Sequence, residues 1–150
     1  MKNIKQFIFE AKNKLSSILE NIIYDENFQE DNYSIFDDCD DEEELRIKLI
    51  DGYCLEVCIF ISDYYKIKSI EYYLLDNKGD DYHYLMKFKN MWFDAYNYKG
   101  VKNLEELKFI ELNKSYQKYD EGELNDSNIL HFISKDEFDY NKAMKLKNNK

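Results

Sequence analysis

Eleven carboxylates lie between Asp25 and Glu44 with no lysine or arginine among them: Asp25, Glu26, Glu30, Asp31, Asp37, Asp38, Asp40, Asp41, Glu42, Glu43 and Glu44. The chain has 31 acids and 21 bases, so outside this window 20 acids face 21 bases. The net charge of −10 therefore belongs to one stretch on an otherwise balanced body. Such a stretch repels phosphates and anionic membranes and attracts basic surfaces. Seven acids fall in the eight residues from Asp37 to Glu44. If extended, they would span ~26 Å, with a charge spacing close to the ~3.4 Å phosphate repeat of a nucleic-acid strand. Tyr33 and Phe36 lie inside the window and would supply apolar contact to a partner.

The other reactive residues are sparse. His83 and His131 are the only histidines, and Cys39, Cys54 and Cys58 lack the spacing of a zinc site. Read on a strand, Cys54 and Cys58 stand ~13 Å apart, beyond the reach of a disulfide, so all three cysteines read as free thiols. Asp76 to Gly79 starts like a calcium loop, but its glycine comes too early and Lys87 stands where the last glutamate belongs. No nucleophile elbow, P-loop or dinucleotide fingerprint is present. A nuclease trio would need Asp94, Glu106 and Lys108, with the last two on a helix rather than a strand. An acid–base pair of a tyrosine or His83 with a carboxylate stays open, although His83, between Tyr82 and Tyr84, reads as solvated or partly packed. These readings predict no cofactor, no metal and no catalysis.

Positioning these residues falls to an α+β fold in one domain. Ile4, Phe7, Ile8, Ala11, Leu15, Ile18, Leu19, Ile22 and Ile23 make one face of an N-terminal amphipathic helix over 1–24. The acidic segment 25–44 reads as a loop, because like charges three and four apart oppose a helix, with a short strand at Tyr33 to Phe36. From Leu45 the period switches to two, and Asp51-Gly52 and Asn77 to Asp80 supply turns. The expectation is a four-stranded antiparallel meander over 45–89, its Leu55, Val57, Ile59 and Ile61 covered by the first helix. Residues 90–150 read as mixed helix and loop. Asn103 caps one helix, Ile129 to Ile133 form an apolar run, and Ser134 with Glu137 opens a last helix over 135–147. No apolar run is long enough to span a membrane. Lys, Asn, Ile and Tyr make 64 residues while Pro is absent, the signature of AT-rich coding DNA in low-GC bacteria and their phages. The expected location is the cytoplasm of such a cell, or of one infected by phage.

Residues 51–90 carry Gly52, Leu55, Glu56, Val57, Tyr72, Tyr73, Asp76, Gly79, Lys87, Phe88 and Asn90 in an order that resembles the sheet of TumE-like toxins from bacterial toxin–antitoxin pairs. The resemblance implies a shared sheet and, in the family, RNase-type activity. Here the family's histidine cluster after Asn90 is replaced by Met91-Trp92-Phe93-Asp94, and Lys89 replaces an aspartate.

Three functions follow as expectations. The leading specific one is an acidic inhibitor that occupies the basic surface of a nuclease or other nucleic-acid-binding protein, as a phage anti-defence, anti-CRISPR or immunity protein would. The second is a toxin–antitoxin component with enzymatic activity. The third is an acidic module whose charge run is a solvated loop.

Overall fold

The structure is a computed structural model that describes residues 14–65, 67–78, 81–120 and 122–148. The first described helix, α1 (14–21), continues into a 3-10 turn at Ile22–Tyr24. Leu15, Leu19, Ile22 and Ile23 are buried from it. The earlier part of the expected helix, with Phe7 and Ile8, lies outside the described residues.

The acidic segment is helical rather than a loop. α2 (Glu26–Asp31), α3 (Tyr33–Phe36) and α4 (Glu42–Ile50) occupy it, so Tyr33 to Phe36 is not a strand. Position along each helix outweighs like-charge repulsion. Asp25 caps α2 by accepting from the Asn27 and Phe28 amides at 2.9 and 3.1 Å. Asp41 caps α4 through the Glu44 amide at 2.8 Å, and Glu44 accepts from the Asp40 amide at 3.0 Å. Glu42, Glu43 and Glu44 then fall in the first turn of α4, where the helix dipole favours negative charge.

The run from Leu45 to Ile61 departs furthest from the expected meander. Its first part is α4, its second α5 (Cys54–Tyr64), and Gly52, at φ +106°, turns the chain between them. Leu45 and Leu49 satisfy both a two-residue period and a helical one, so alternation alone misassigns them. In α5 the buried residues are Cys54, Glu56, Val57, Cys58, Phe60 and Ile61, a helical face, while Leu55 and Ile59 are half-buried.

The sheet has four antiparallel strands in the order β3-β2-β1-β4. They are β1 (Glu71–Asp76), β2 (Tyr82–Phe88), β3 (Met91–Phe93) and β4 (Leu130–Ile133). Only the first three form a meander. Lys89 and Asn90, at φ +51° and +64°, make the two-residue turn between β2 and β3. β4 returns from far along the chain to pair with β1, Tyr72 opposite Ile133. The chain is thus α+β with a four-stranded antiparallel sheet, as expected, but two of the expected strands are helices and two strands come from residues 91–133.

Both faces of this sheet are covered. On one, Met86, Phe88 and Phe93 join a core with Leu15, Leu19, Val57, Cys58 and Ile61. On the other, Leu75, Leu85 and Trp92 meet Leu104, Leu107, Phe109, Ile110 and Tyr116. The latter come from a 3-10 turn at Leu104–Glu106, α6 (Lys108–Leu112) and a 3-10 turn at Lys114–Tyr116. Leu85 and Met86 are adjacent on β2 and both fully buried, as a strand between two layers requires. The last helix, α7 (Lys135–Asn148), starts at Ser134, whose hydroxyl accepts from the Glu137 amide at 3.2 Å. No helix among the described residues is long and apolar enough to cross a membrane.

Candidate functional site

Three chemically reactive side chains meet where α5 packs on β2. Cys54 is the first residue of α5, His83 lies in β2, and Asp94 directly follows β3. The three are 3%, 0% and 2% exposed, so water does not dilute their interactions. His83 Nε2 is 2.8 Å from Asp94 Oδ2. The other ring nitrogen, Nδ1, has no hydrogen-bond partner among the described residues, and Cys54 lies close enough to act on the ring electrostatically. Phe109 stacks on the imidazole at 4.5 Å and 18° and fixes its plane from the opposite side of the sheet.

Asp94 is locked in turn. Its Oδ1 accepts from the amides of Tyr96 and Asn97 at 3.0 and 2.6 Å. Arg46 anchors the same loop through the Ala95 carbonyl at 2.6 Å and holds the end of α1 through the Leu19 and Glu20 carbonyls at 3.2 and 2.5 Å. This guanidinium is buried, pairs with Glu42 at 2.9 Å and lies over the Tyr98 ring. Arg46→Met would strand three carbonyls, and we expect a loss of about 3 kcal/mol or more in urea unfolding. A loss within experimental error would mean that Arg46 does not hold this loop.

Electrostatics couple the three groups. Burial by itself lowers the proton affinity of His83. The hydrogen bond to Asp94, with the neighbouring Cys54 and the Asp94 charge, outweighs it and pushes the imidazole up to about 9. The Tyr84 amide donates to the Cys54 sulfur at 3.3 Å. Cys54 also sits in the first turn of α5, whose amides receive no side-chain cap from Tyr53. Cys58, one turn deeper, is different: burial first, then Cys54, pushes its thiol well up, so it stays protonated and inert. Cys39 is half-buried, and burial raises it too. All three cysteines are free. Cys54 and Cys58 share a helix face about 6 Å apart, not the far-apart strand positions expected.

His83 is thus neither solvated nor partly packed but fully buried between layers. Two-residue alternation puts Cys54 on a strand and so hides its meeting with His83 and Asp94. One signal was present: a cysteine two residues after the glycine of an Asp-Gly turn can begin a helix, where a thiol gains from free amides.

The acidic window lies apart from this trio. Asp25 is half-buried as a cap, while Glu26, Glu30, Asp31, Asp37, Asp38, Asp40, Asp41, Glu42, Glu43 and Glu44 are exposed. Tyr33 is 71% exposed, whereas Phe36 packs edge-on to Phe28 at 6.0 Å. Because the last three acids are wound into α4, the window is not the extended strip that a phosphate-spaced mimic requires. Glu43 accepts from the Tyr96 hydroxyl at 2.8 Å, at the edge of a cleft of about 540 Å³ that also touches Glu42, Arg46 and Tyr98. Glu106 and Lys108 do not join Asp94: Glu106 closes a capping box with Asn103, and Lys108 pairs with Glu111 at 3.3 Å. Among the described residues no three His, Cys, Asp or Glu side chains are grouped to hold a metal ion. Of residues 51–90, 54–64 are helix, and 71–76 and 82–88 are strands. Compared with known proteins, the chain matches no family model, no curated protein and no solved structure.

Proposed function

We propose that the protein is a cysteine-nucleophile enzyme of acyl transfer, acting on an amide, ester or thioester, with Cys54 as nucleophile, His83 as acid–base and Asp94 as the group that orients His83. The observation that carries this reading is the fully buried imidazole, held by Asp94 on one nitrogen, unpartnered on the other, and neighboured by a helix-initial thiol. That is the geometry of nucleophile, base and orienting group.

In the reaction so read, His83 takes the thiol proton through its unpartnered Nδ1 as sulfur attacks, and Asp94 stabilises the imidazolium that forms. Sulfur attacks the carbonyl carbon, and the first-turn amides of α5 receive the developing oxyanion. His83 gives its proton to the departing amine, alcohol or thiol, leaving a thioester on Cys54. Water, deprotonated by His83, adds to that thioester; the thiolate leaves and takes back from His83 the proton that came from water. An amine in place of water gives transfer instead of hydrolysis.

The test is selectivity of alkylation. Exposure alone ranks Cys39 ahead of Cys54. Peptide mapping after brief iodoacetamide treatment of the folded chain is expected to find Cys54 modified at least tenfold faster than Cys39. Cys39 reacting first would remove the nucleophile from this reading.

A second reading keeps the protein as an inhibitor that docks a basic partner, such as a nuclease, on its anionic face. What favours it is that ten of the eleven acids of the window are exposed. Changing Asp37, Asp38, Asp40 and Asp41 to Asn is then expected to slow association with that partner in a salt-dependent way, while the same change at Asp63, Asp81, Asp120 and Asp126 is not.

A further inference from the structure

Beside the start of α5 runs a groove of about 340 Å³, lined among others by Asp31, Tyr33, Tyr53, Glu56 and Lys145. Glu56 stands two residues after Cys54 in the first turn of the helix and is only 8% exposed. A carboxylate that deep requires a cation or several donors. Among the described residues it has one partner, the ammonium of Lys145 at 2.5 Å from Oε1, while Oε2 accepts no hydrogen bond. The same ammonium is within electrostatic reach of Tyr82 and of Cys54 itself.

Lys145 comes from α7, a helix held to the body by few attachments. Phe138 stacks on Tyr72 at 4.6 Å, Asn141 reaches the Tyr84 hydroxyl at 3.4 Å, and Lys142 pairs with Asp63. Beyond Phe138 these ties are polar and partly open to water, of the kind that open at low free-energy cost. Charge, depth and shape all favour a compact ammonium on a long stem. Glu56 supplies the buried counter-charge, the Tyr33 and Tyr53 rings line the approach, and Asp31 adds negative charge at the mouth.

We propose that this groove is a subsite for the lysine side chain of a polypeptide substrate, with Glu56 as its recognition residue, and that the chain's own Lys145 occupies it. The inference rests on the acyl-transfer reading for its meaning as a substrate subsite. The exposed acids at Glu26, Glu30 and Asp31 would draw a basic peptide toward the same mouth.

The test separates binding from chemistry. In a full-length Cys54→Ser background, titration with Nα-acetyl-lysine methylamide is followed by NMR, with the norleucine analogue as the uncharged control. Lys145→Ala is expected to bind the lysine probe at least tenfold more tightly than the parent and at least tenfold more tightly than it binds norleucine. Glu56→Gln added to Lys145→Ala is expected to abolish that preference. Lys145→Met, which keeps the apolar stem, repeats the measurement on a packed groove should the alanine variant melt early. Equal binding of lysine and norleucine by the opened variants, or a preference that survives Glu56→Gln, would overturn the subsite. Because sulfur is absent, lysine selectivity here with no Cys54 reactivity in the native chain would sink the enzyme reading alone, and the reverse pattern would sink the subsite alone.

Discussion

Asp94→Asn is expected to lower the stability of the fold by on the order of 3 kcal/mol at pH 6, and the deficit is expected to shrink as pH rises past 9. Asn keeps the size of the side chain and an oxygen for the Tyr96 and Asn97 amides, so what it removes is the charge facing His83. The magnitude is set by the imidazole's rise from 6.5 to about 9, to which the Asp94 hydrogen bond is the largest favourable contribution and Cys54 adds, at about 1.4 kcal/mol for each tenfold change. The sign follows from proton counting. Between pH 6.5 and about 9 the folded chain keeps a proton on His83 that the unfolded chain has released. The stabilisation is therefore complete below 6.5 and lost as pH rises through the folded value. Urea unfolding of both proteins from pH 6 to pH 10 measures it. A constant difference across that range would mean that His83 and Asp94 form a neutral hydrogen bond with no role in storing a proton.

The reactivity of Cys54 is expected to fall about 100-fold in His83→Gln, the lower end of what a positioned acid–base group contributes. Gln fills most of the imidazole's space, so the change removes proton transfer without opening a large cavity. Both proteins keep Lys145 and α7, so access to the sulfur is common to them and the ratio of alkylation rates reports on the chemistry. Asp94→Asn is expected to fall between the two, since it leaves the imidazole in place but no longer fixes which nitrogen holds the proton. Equal rates in the parent and His83→Gln would make Cys54, His83 and Asp94 an ordinary buried polar cluster, whose value is the satisfied core and not catalysis.

Parts of this architecture were legible from residue order. Ser134 with Glu137 announced α7, and the capping pattern holds in the structure. Asn103 announced a cap, which closes on Glu106 over a 3-10 turn. The runs Ile67 to Leu75 and Tyr82 to Lys89 marked two real strands, found at Glu71–Asp76 and Tyr82–Phe88 and in register from Glu71 opposite Lys87 to Asp76 opposite Tyr82. In each case the information is local: a cap acts over three residues, and a hairpin pairs neighbours in the chain.

Residues 45–61 fold as helix where alternation predicts strands. Cys54-Leu-Glu-Val-Cys-Ile-Phe-Ile is apolar on nearly every side, and a run like that fits a buried strand or a buried helix equally well. The choice was made by β2, which offers a face for α5, and by the return of β4 to the edge of β1 that a fourth strand would otherwise take.

Residue order by itself determined the charge asymmetry and the α+β class, because these depend on which residues are present and on short-range order. Tertiary structure alone decided the site. Cys54, His83 and Asp94 belong to a helix start, a strand and the residue after a strand; none of them neighbours another in the chain. They meet because the Lys89-Asn90 turn folds β3 back on β2 and because α5 buries its apolar face on that pair. Burial then sets the chemistry, since the same histidine in water would titrate as an ordinary imidazole and Glu56 would not need Lys145.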